Sequence, residues 1–426
     1  MINIKKKEDC CGCSACAERC PKQCIFMAED KEGFLYPVVD SSRCISCELC
    51  KKVCPVINQD PAHPPIETYA SKNQDDNVRL ESSSGGIFSN IAKCVLDKGG
   101  VVFGAKFNDK WEVEHDYALT GQDLACLRGS KYVQSRMNDN FKKIEKFLNE
   151  GKEVLFSGTP CQIAGLRRYL RREYDNLLLV DVICHGVPSP RVWRDYLREY
   201  LLRSDAGKRK KTVLGQLSLK DIIAISFRDK STGWKKYGFV ALIYSHRQGR
   251  KKSDGLIPSQ KTEILLHEKH YDNLFMRGFL ANIFLRPSCY ACPAKAGKSG
   301  SDITLGDFWG ISAVIPELDD DKGTSVVMVN SLKGKSYYDS LNTIRCKCNY
   351  QTAYKYNPAI EQSVSRPSIT GEFWRQYEAC GPECAFDYIS RKLYKSFLDR
   401  TINKIISLLV RVANKIKIKK FFRVQK

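Results

Sequence analysis

At 426 residues, 43% of them hydrophobic, the chain is long enough for two or three domains around a sizeable core. Its 69 Lys and Arg against 48 Asp and Glu give a net charge of +21, but no nucleic-acid motif accompanies the charge, so no nucleic-acid partner is expected. No apolar run is long enough to span a bilayer and the lysine-rich opening carries no apolar signal, so the 20 cysteines are expected in a reducing cytoplasm, serving metal and not disulfides.

The first predicted elements are two cysteine runs. Cys10, Cys13, Cys16 and Cys20-Pro21 follow C-x2-C-x2-C-x3-C-P, and Cys44, Cys47, Cys50 and Cys54-Pro55 repeat the spacing. Three thiolates of each run suit one corner of a cubane cluster, and the fourth reaches the other cluster. Zinc knuckles lack the third Cys and the Pro. The stretch resembles a bacterial-type dicluster ferredoxin module, so an α+β ferredoxin-like domain with two [4Fe-4S] clusters is expected over residues 1–57. Cys11 and Cys24 fall outside the pattern and read as small buried hydrophobes. Pro61, Pro64 and Pro65 make residues 58–68 a stiff linker.

The spacing of Ile87, Ile91, Cys94 and Val95 predicts a helix from Ile87 to Asp97, opened by Ser84, Gly85 and Gly86. Such a turn is either a plain cap or a phosphate site made of free backbone N–H groups. A strand is predicted from Val101 to Phe107. Lys131, beside Gly129, reads either as a solvated loop charge or as a contact for an anionic cofactor.

Two strand-then-cysteine units follow. Glu153–Phe156 runs into Cys161, with a helix from Gln162 to Leu170; Leu177–Ile183 runs into Cys184-His185-Gly186, with a helix from Pro190 toward Leu202. Continuous apolar strands alternating with helices predict an α/β domain with a largely parallel sheet, over residues 69–345, and ligands collect at the carboxyl ends of such strands. Residues 203–262 are basic and less regular. Ser226–Lys230 and Trp234–Phe239 read as strands joined by a turn, and Arg247–Lys252 as a charged loop.

Cys289 and Cys292 form a C-x2-C hairpin that alone suits zinc or redox chemistry. With Cys161 and Cys184 they make the four thiolates a cubane needs. Asp319–Asp321 reads as an acidic surface loop and Val326–Val329 as a strand. Cys346, Cys348, Cys380 and Cys384 match no cluster spacing. Residues 346–426 form a further region whose basic tail, from Tyr388, is helical by pattern. Residues 389–426 hold twelve Lys and Arg against Asp399 alone. That tail either lies on an anionic membrane face, at the inner side of the membrane, or docks on protein.

Taken in order, Ser84-Gly85-Gly86, Gly129-Ser130-Lys131-Tyr132, Thr159-Pro160-Cys161-Gln162, Cys184-His185-Gly186, Cys289-x2-Cys292 and Asp302–Asp307 resemble the beta subunit of coenzyme F420 hydrogenase/dehydrogenase. The resemblance spans about the first seven-tenths of the chain. It implies a flavin-binding (FAD or FMN) α/β domain, a third [4Fe-4S] cluster on Cys161, Cys184, Cys289 and Cys292, and a flavin and deazaflavin surface that includes Ser84, Gly85, Gly86 and Lys131. It also implies a hydride carrier such as a deazaflavin, and a redox protein or enzyme complex as partner. The longer basic middle and added tail look more like a bacterial branch associated with polysaccharide synthesis. His185, beside Cys184, reads either as a proton relay or, more simply, as a group that supports the cluster, and no acid–base triad is expected.

Overall fold

Apolar and β-branched runs set off by turns and helices build thirteen strands among the described residues of the computed structural model, which are 1–202, 217–244 and 262–393. They are β1 (Ile25–Glu29), β2 (Leu35–Val39), β3 (Glu67–Asn73), β4 (Val101–Phe107), β5 (Val113–Ala118), β6 (Val154–Gly158), β7 (Leu177–Val182), β8 (Ile222–Asp229), β9 (Gly238–Tyr244), β10 (Thr262–Lys269), β11 (Ile303–Asp307), β12 (Ser325–Val329) and β13 (Thr343–Cys348). The chain divides into two compact units, Met1–Pro367 and Ser368–Lys426.

In the first unit, β1 and β2 form an antiparallel hairpin with Ile25 opposite Val39. Short helices, Ala15–Glu18 and Leu49–Lys52, lie inside the two cysteine runs. The main sheet has the order β13-β3-β12-β11-β7-β6-β4-β5. Its centre is parallel, β11 on β7, β7 on β6 and β6 on β4. The other four pairings are antiparallel. The largely parallel sheet expected is therefore a parallel centre with antiparallel flanks. The reason is connection length: β4 turns directly into β5, whereas a parallel neighbour needs a long crossover.

Alternation along the central strands fills two layers. Val154 and Phe156 of β6 pack with Phe141, Ile144 and Leu148 of helix Asn140–Asn149 and Ile163, Leu166 and Leu170 of helix Pro160–Leu170. Leu155 points the other way, into a core with Ile87, Ile91 and Val95 of helix Ile87–Asp97. Each such side chain, fully buried, contributes roughly 1.5–3 kcal/mol. Cys11, Cys13, Ala15 and Val53 belong to the first of these cores, so the N-terminal module shares its apolar interior with the sheet.

β8, β9 and β10 form a separate antiparallel sheet. The strand expected from Trp234 starts only at Gly238, because Trp234 is buried in the turn, where its Nε1 donates to Asp307 at 2.9 Å. The acidic loop lies at the surface, with Asp320 and Asp321 exposed, and it also clamps neighbouring segments. Asp320 accepts two hydrogen bonds from the buried Arg79 guanidinium, at 2.6 and 2.9 Å, and Asp321 accepts from the Lys235 backbone N–H.

In the second unit residues 370–393 are helical, with Phe373 and Tyr377 meeting edge to face at 5.6 Å. The start of the predicted tail helix falls there. The rest of the basic tail lies outside the described residues, as do the loop Arg247–Lys252 and much of 203–262. Among the described residues no helix is long and apolar enough to cross a membrane.

Candidate iron–sulfur and cofactor site

The two cysteine runs fold alike. Ser14 follows Cys13 with a φ of 66°, and Glu48 follows Cys47 with a φ of 59°, so each run turns through a left-handed residue into its short helix. The turns bring each fourth cysteine to the other run. Cys10, Cys13, Cys16 and Cys54 line one cavity; Cys20, Cys44, Cys47 and Cys50 line another. The first cage is buried, whereas Cys47 of the second is exposed. Cys11 and Cys24 are buried as expected, and Cys24 Sγ lies 3.4 Å from Cys20 Sγ. Among the described residues no three His, Cys, Asp or Glu side chains converge as ligands of one metal ion. Four cysteines lining one cavity, with the Cys-Pro spacing of both runs, are the donor set a cubane takes.

Two further cysteines sit at the carboxyl edge of the parallel centre. β6 leads through Thr159 and Pro160 to Cys161 in the first turn of an eleven-residue helix, whose start is capped by Thr159 N–H donating to Gln162 Oε1 at 2.9 Å. β7 leads to Cys184 two residues beyond its end. The 3-10 turn Pro287–Ala291 presents Cys289, and Cys292 follows it. β6 and β7 are neighbours, so Cys161 and Cys184 follow adjacent strand ends, and a Cβ on Gly186 would stand 3.3 Å from Cys289 Cβ; Cys292 lies within electrostatic reach of Cys161. Burial pushes the Cys184 thiol up to about 12, with Lys295 pulling the other way. Thiols packed this way ionise together only against a cation, which a cluster's iron supplies. Lys295 Nζ donates to Cys184 O at 2.6 Å, and the Val187 N–H to Cys289 Sγ at 3.4 Å. His185 is held by Asn282 Oδ1 at 2.6 Å and burial lowers its pKa, which fits a neutral supporting imidazole.

The third cage abuts the first. Cys11 and Cys13 belong to one buried core, and Cys161 packs against it. One turn along the helix from Cys161, Gly165 makes room for Cys13: a Cβ there would stand 2.8 Å from Cys13 Cβ.

The expected cofactor residues lie on neighbouring loops. The Ser130 N–H donates to Ser83 Oγ at 2.7 Å, which joins the loop of Ser84, Gly85 and Gly86 to that of Lys131. Their own groups are largely engaged. The Gly85 N–H donates to Ser325 Oγ at 2.9 Å, and its missing Cβ would meet Ser71 O at 2.5 Å, so this glycine answers to the sheet beneath it. Lys131 Nζ donates to Cys126 O and Arg128 O, and burial lowers its pKa to about 7. Sequence reasoning missed the strongest feature beside them. Arg228, on β8, is buried against Asp307 at 3.0 Å and donates to Ser83 O at 3.1 Å. Its guanidinium lies 3.9 Å from the Tyr237 ring and 5.4 Å from Trp309. Its Nε is buried and, among the described residues, has no hydrogen-bond partner. Lys230 donates to Ser84 O at 2.6 Å. Aromatic rings link this cluster to the third cage: Tyr132 lies 4.7 Å from Phe279, and Phe279 lies 5.2 Å from His185, the neighbour of Cys184. Cations, flat rings and an unpartnered buried donor at a strand edge fit a planar anionic cofactor.

Known protein families match much of the first unit. Residues 9–58 match the 4Fe-4S dicluster domain. Residues 68–142 match the N-terminal, and residues 151–346 the C-terminal, part of the coenzyme F420 hydrogenase/dehydrogenase beta subunit, and together the two cover more than half of the chain. One of the subunits of the F(420)H(2) dehydrogenase of Methanosarcina mazei is 24% identical over 202 residues, 43% of this chain and 55% of that protein. An uncharacterised protein of Methanocaldococcus jannaschii is 24% identical over 197 residues, 39% of this chain and 54% of that one. The chain thus spans about half the length of the curated relatives it matches. A chain of the F420-reducing [NiFe] hydrogenase complex from Methanosarcina barkeri superposes with a TM-score of 0.43 at 14% identity, over 71% of this chain and 92% of that one. That score is too low to carry an argument.

Proposed function

We propose, of a chain that belongs to the family of coenzyme F420 hydrogenase/dehydrogenase beta subunits, that it is a cytoplasmic iron–sulfur flavoprotein oxidoreductase. It moves electrons between a hydride carrier, an F420-like deazaflavin or another, and a ferredoxin-type protein partner. In this reading residues 1–57 hold two [4Fe-4S] clusters and residues 69–345 hold a third, together with FAD or FMN. The observation that carries it is the packing of Cys161 against the core that Cys11 and Cys13 share with the sheet, which joins the cage at the strand edge to the ferredoxin module.

A flavin, when bound, supplies the exchange between the two electrons of a hydride and the single electron a cubane takes. The chain's residues do the rest. Arg228 would hold an anionic, planar group against Tyr237 and Trp309, with Nε as the donor awaiting its acceptor, while Lys230, engaged by the carbonyls of Arg79, Ser84 and Lys322, braces the loop of Ser84 beside it. Asp307 fixes the guanidinium in place. Phe279 and His185 keep water from the gap between that group and Cys184. The exposed Cys47 makes the second ferredoxin cage the side that meets the protein partner.

The test is anaerobic reconstitution with iron, sulfide and flavin, followed by reduced coenzyme F420 and NADH in separate samples. Bleaching of the iron–sulfur absorbance by one donor and not the other is expected. Clusters that respond to dithionite but to neither donor would favour the alternative, an electron-transfer accessory without its own hydride substrate that serves a polysaccharide-synthesis enzyme.

A further inference from the structure

Arg286 is a buried charge that no step above employs. It is 0% exposed, its backbone carbonyl accepts from the Cys289 N–H at 2.9 Å, and its side chain reaches into the N-terminal module. Nε donates to Cys10 O at 2.8 Å, Nη1 to Gln134 Oε1 at 2.9 Å, and Nη2 to Leu35 O at 2.9 Å and toward Cys10 Sγ at 3.5 Å. The guanidinium lies 4.4 Å from the Tyr36 ring and 5.4 Å from Phe34. None of these partners is a carboxylate. A guanidinium stays charged at any ordinary pH, and burying it without a counter-charge is costly. The ionisable groups it faces are Cys10, which it touches, then the Tyr36 phenol, Cys11 and Cys289, so the anions available to it are thiolates and not carboxylates. The fit is close, for a Cβ on Gly12 would stand 2.7 Å from Nη1.

We propose that Arg286 is the shared counter-ion of the first ferredoxin cage and the third cage, a positioning residue that raises the reduction potential of the cluster held by Cys10, Cys13, Cys16 and Cys54. This rests on the cluster reading given above. A cubane with four thiolates is an anion and becomes more negative on reduction. A fixed cation in contact with its sulfur favours the reduced state, and net charge and hydrogen bonds to sulfur are what set such potentials. The same charge screens the repulsion between two neighbouring anions. In the step it assists, one electron leaves the third cluster, which is oxidised, and enters the first, which is reduced. The reverse direction balances in the same way, and no proton or bond is transferred.

The experiment is a redox titration, followed by electron paramagnetic resonance, of the full reconstituted chain and of its Arg286→Gln and Arg286→Lys variants. The Gln variant removes the charge, and its first-cage cluster is expected to lose at least tenfold in its reduced-to-oxidised ratio at the native midpoint, about 59 mV for a one-electron couple. The Lys variant keeps the charge and is expected to stay within threefold of native. A Gln variant with native iron content and native midpoints overturns the proposal. If the Gln variant does not hold iron, the Lys variant decides. A native midpoint supports the charge, whereas a lowered midpoint or lost iron assigns Arg286 to packing and overturns it. Iron analysis of the native chain tests the cluster reading separately, since two cubanes' worth in place of three would refute the third cage. The first-cage midpoint would still report on Arg286.

Discussion

Arg228 and Asp307 show how the candidate site holds a charge largely out of water. Both groups are screened from solvent, with side chains 4% and 16% exposed, and Trp234 Nε1 completes the carboxylate's shell. Such a pair adds little over a well-packed apolar one, but breaking it strands a buried cation. Asp307→Asn is therefore expected to cost about 3–5 kcal/mol. The measurement is a urea denaturation midpoint for the variant against the native chain, and a difference near zero would mean that Arg228 finds another partner. None of this was legible locally. An arginine in a basic strand reads as solvated, and only the approach of β8 to the end of β11 gives it a carboxylate. Gly85 is the reverse case. Its loop reads either as a plain cap or as a phosphate site, and the Gly85 N–H is taken by Ser325, the first residue of β12.

The helix Pro160–Leu170 carries two duties along one face. Its first turn presents Cys161 to the third cage, and its second admits Cys13 of the first cage at Gly165. Propensity alone makes Gly→Ala favourable in a helix interior, by about 1 kcal/mol. Here a methyl would stand 2.8 Å from Cys13 Cβ and 3.0 Å from its Sγ, with the module packed behind. Gly165→Ala is thus expected to lower the thermal midpoint and the iron content of the reconstituted chain despite the better helix former. A raised midpoint with full iron would refute tight docking at this point. The helix itself was legible from its Pro start and apolar spacing. Its glycine was not, because what the glycine accommodates lies at the far end of the sequence.

At the scale of the first unit the cysteine sets run from a partly buried set at the edge of the parallel strands to one with an exposed cysteine, Cys47. The crossing of the fourth cysteines makes that arrangement testable. Cys54→Ala is expected to abolish the signal of the cluster on Cys10, Cys13 and Cys16 and to spare the one on Cys44, Cys47 and Cys50, with one cubane's worth of iron lost. Loss of the latter signal instead would refute the crossed arrangement drawn from the two cavities. The shared core of Cys11, Cys13 and Val53 with the sheet makes this a property of the first unit as one body.

By itself the sequence determined what local spacing can encode. That covers two repeated cysteine runs, the strands that deliver Cys161 and Cys184, the helices that follow them, and the order of motifs that marks the family. These depend on contacts within a turn or two, or on a period of two or 3.6, and survive without knowledge of neighbours. The tertiary structure decided the rest. It set which strands flank the parallel centre, which carboxylate answers Arg228, where the acidic loop closes on Arg79, and that Cys11 and Arg286 stand between two cages. Each of those depends on side chains far apart in the chain, and burial, not spacing, sets their chemistry, because a charge or a thiol changes its behaviour only once its neighbours have displaced the water.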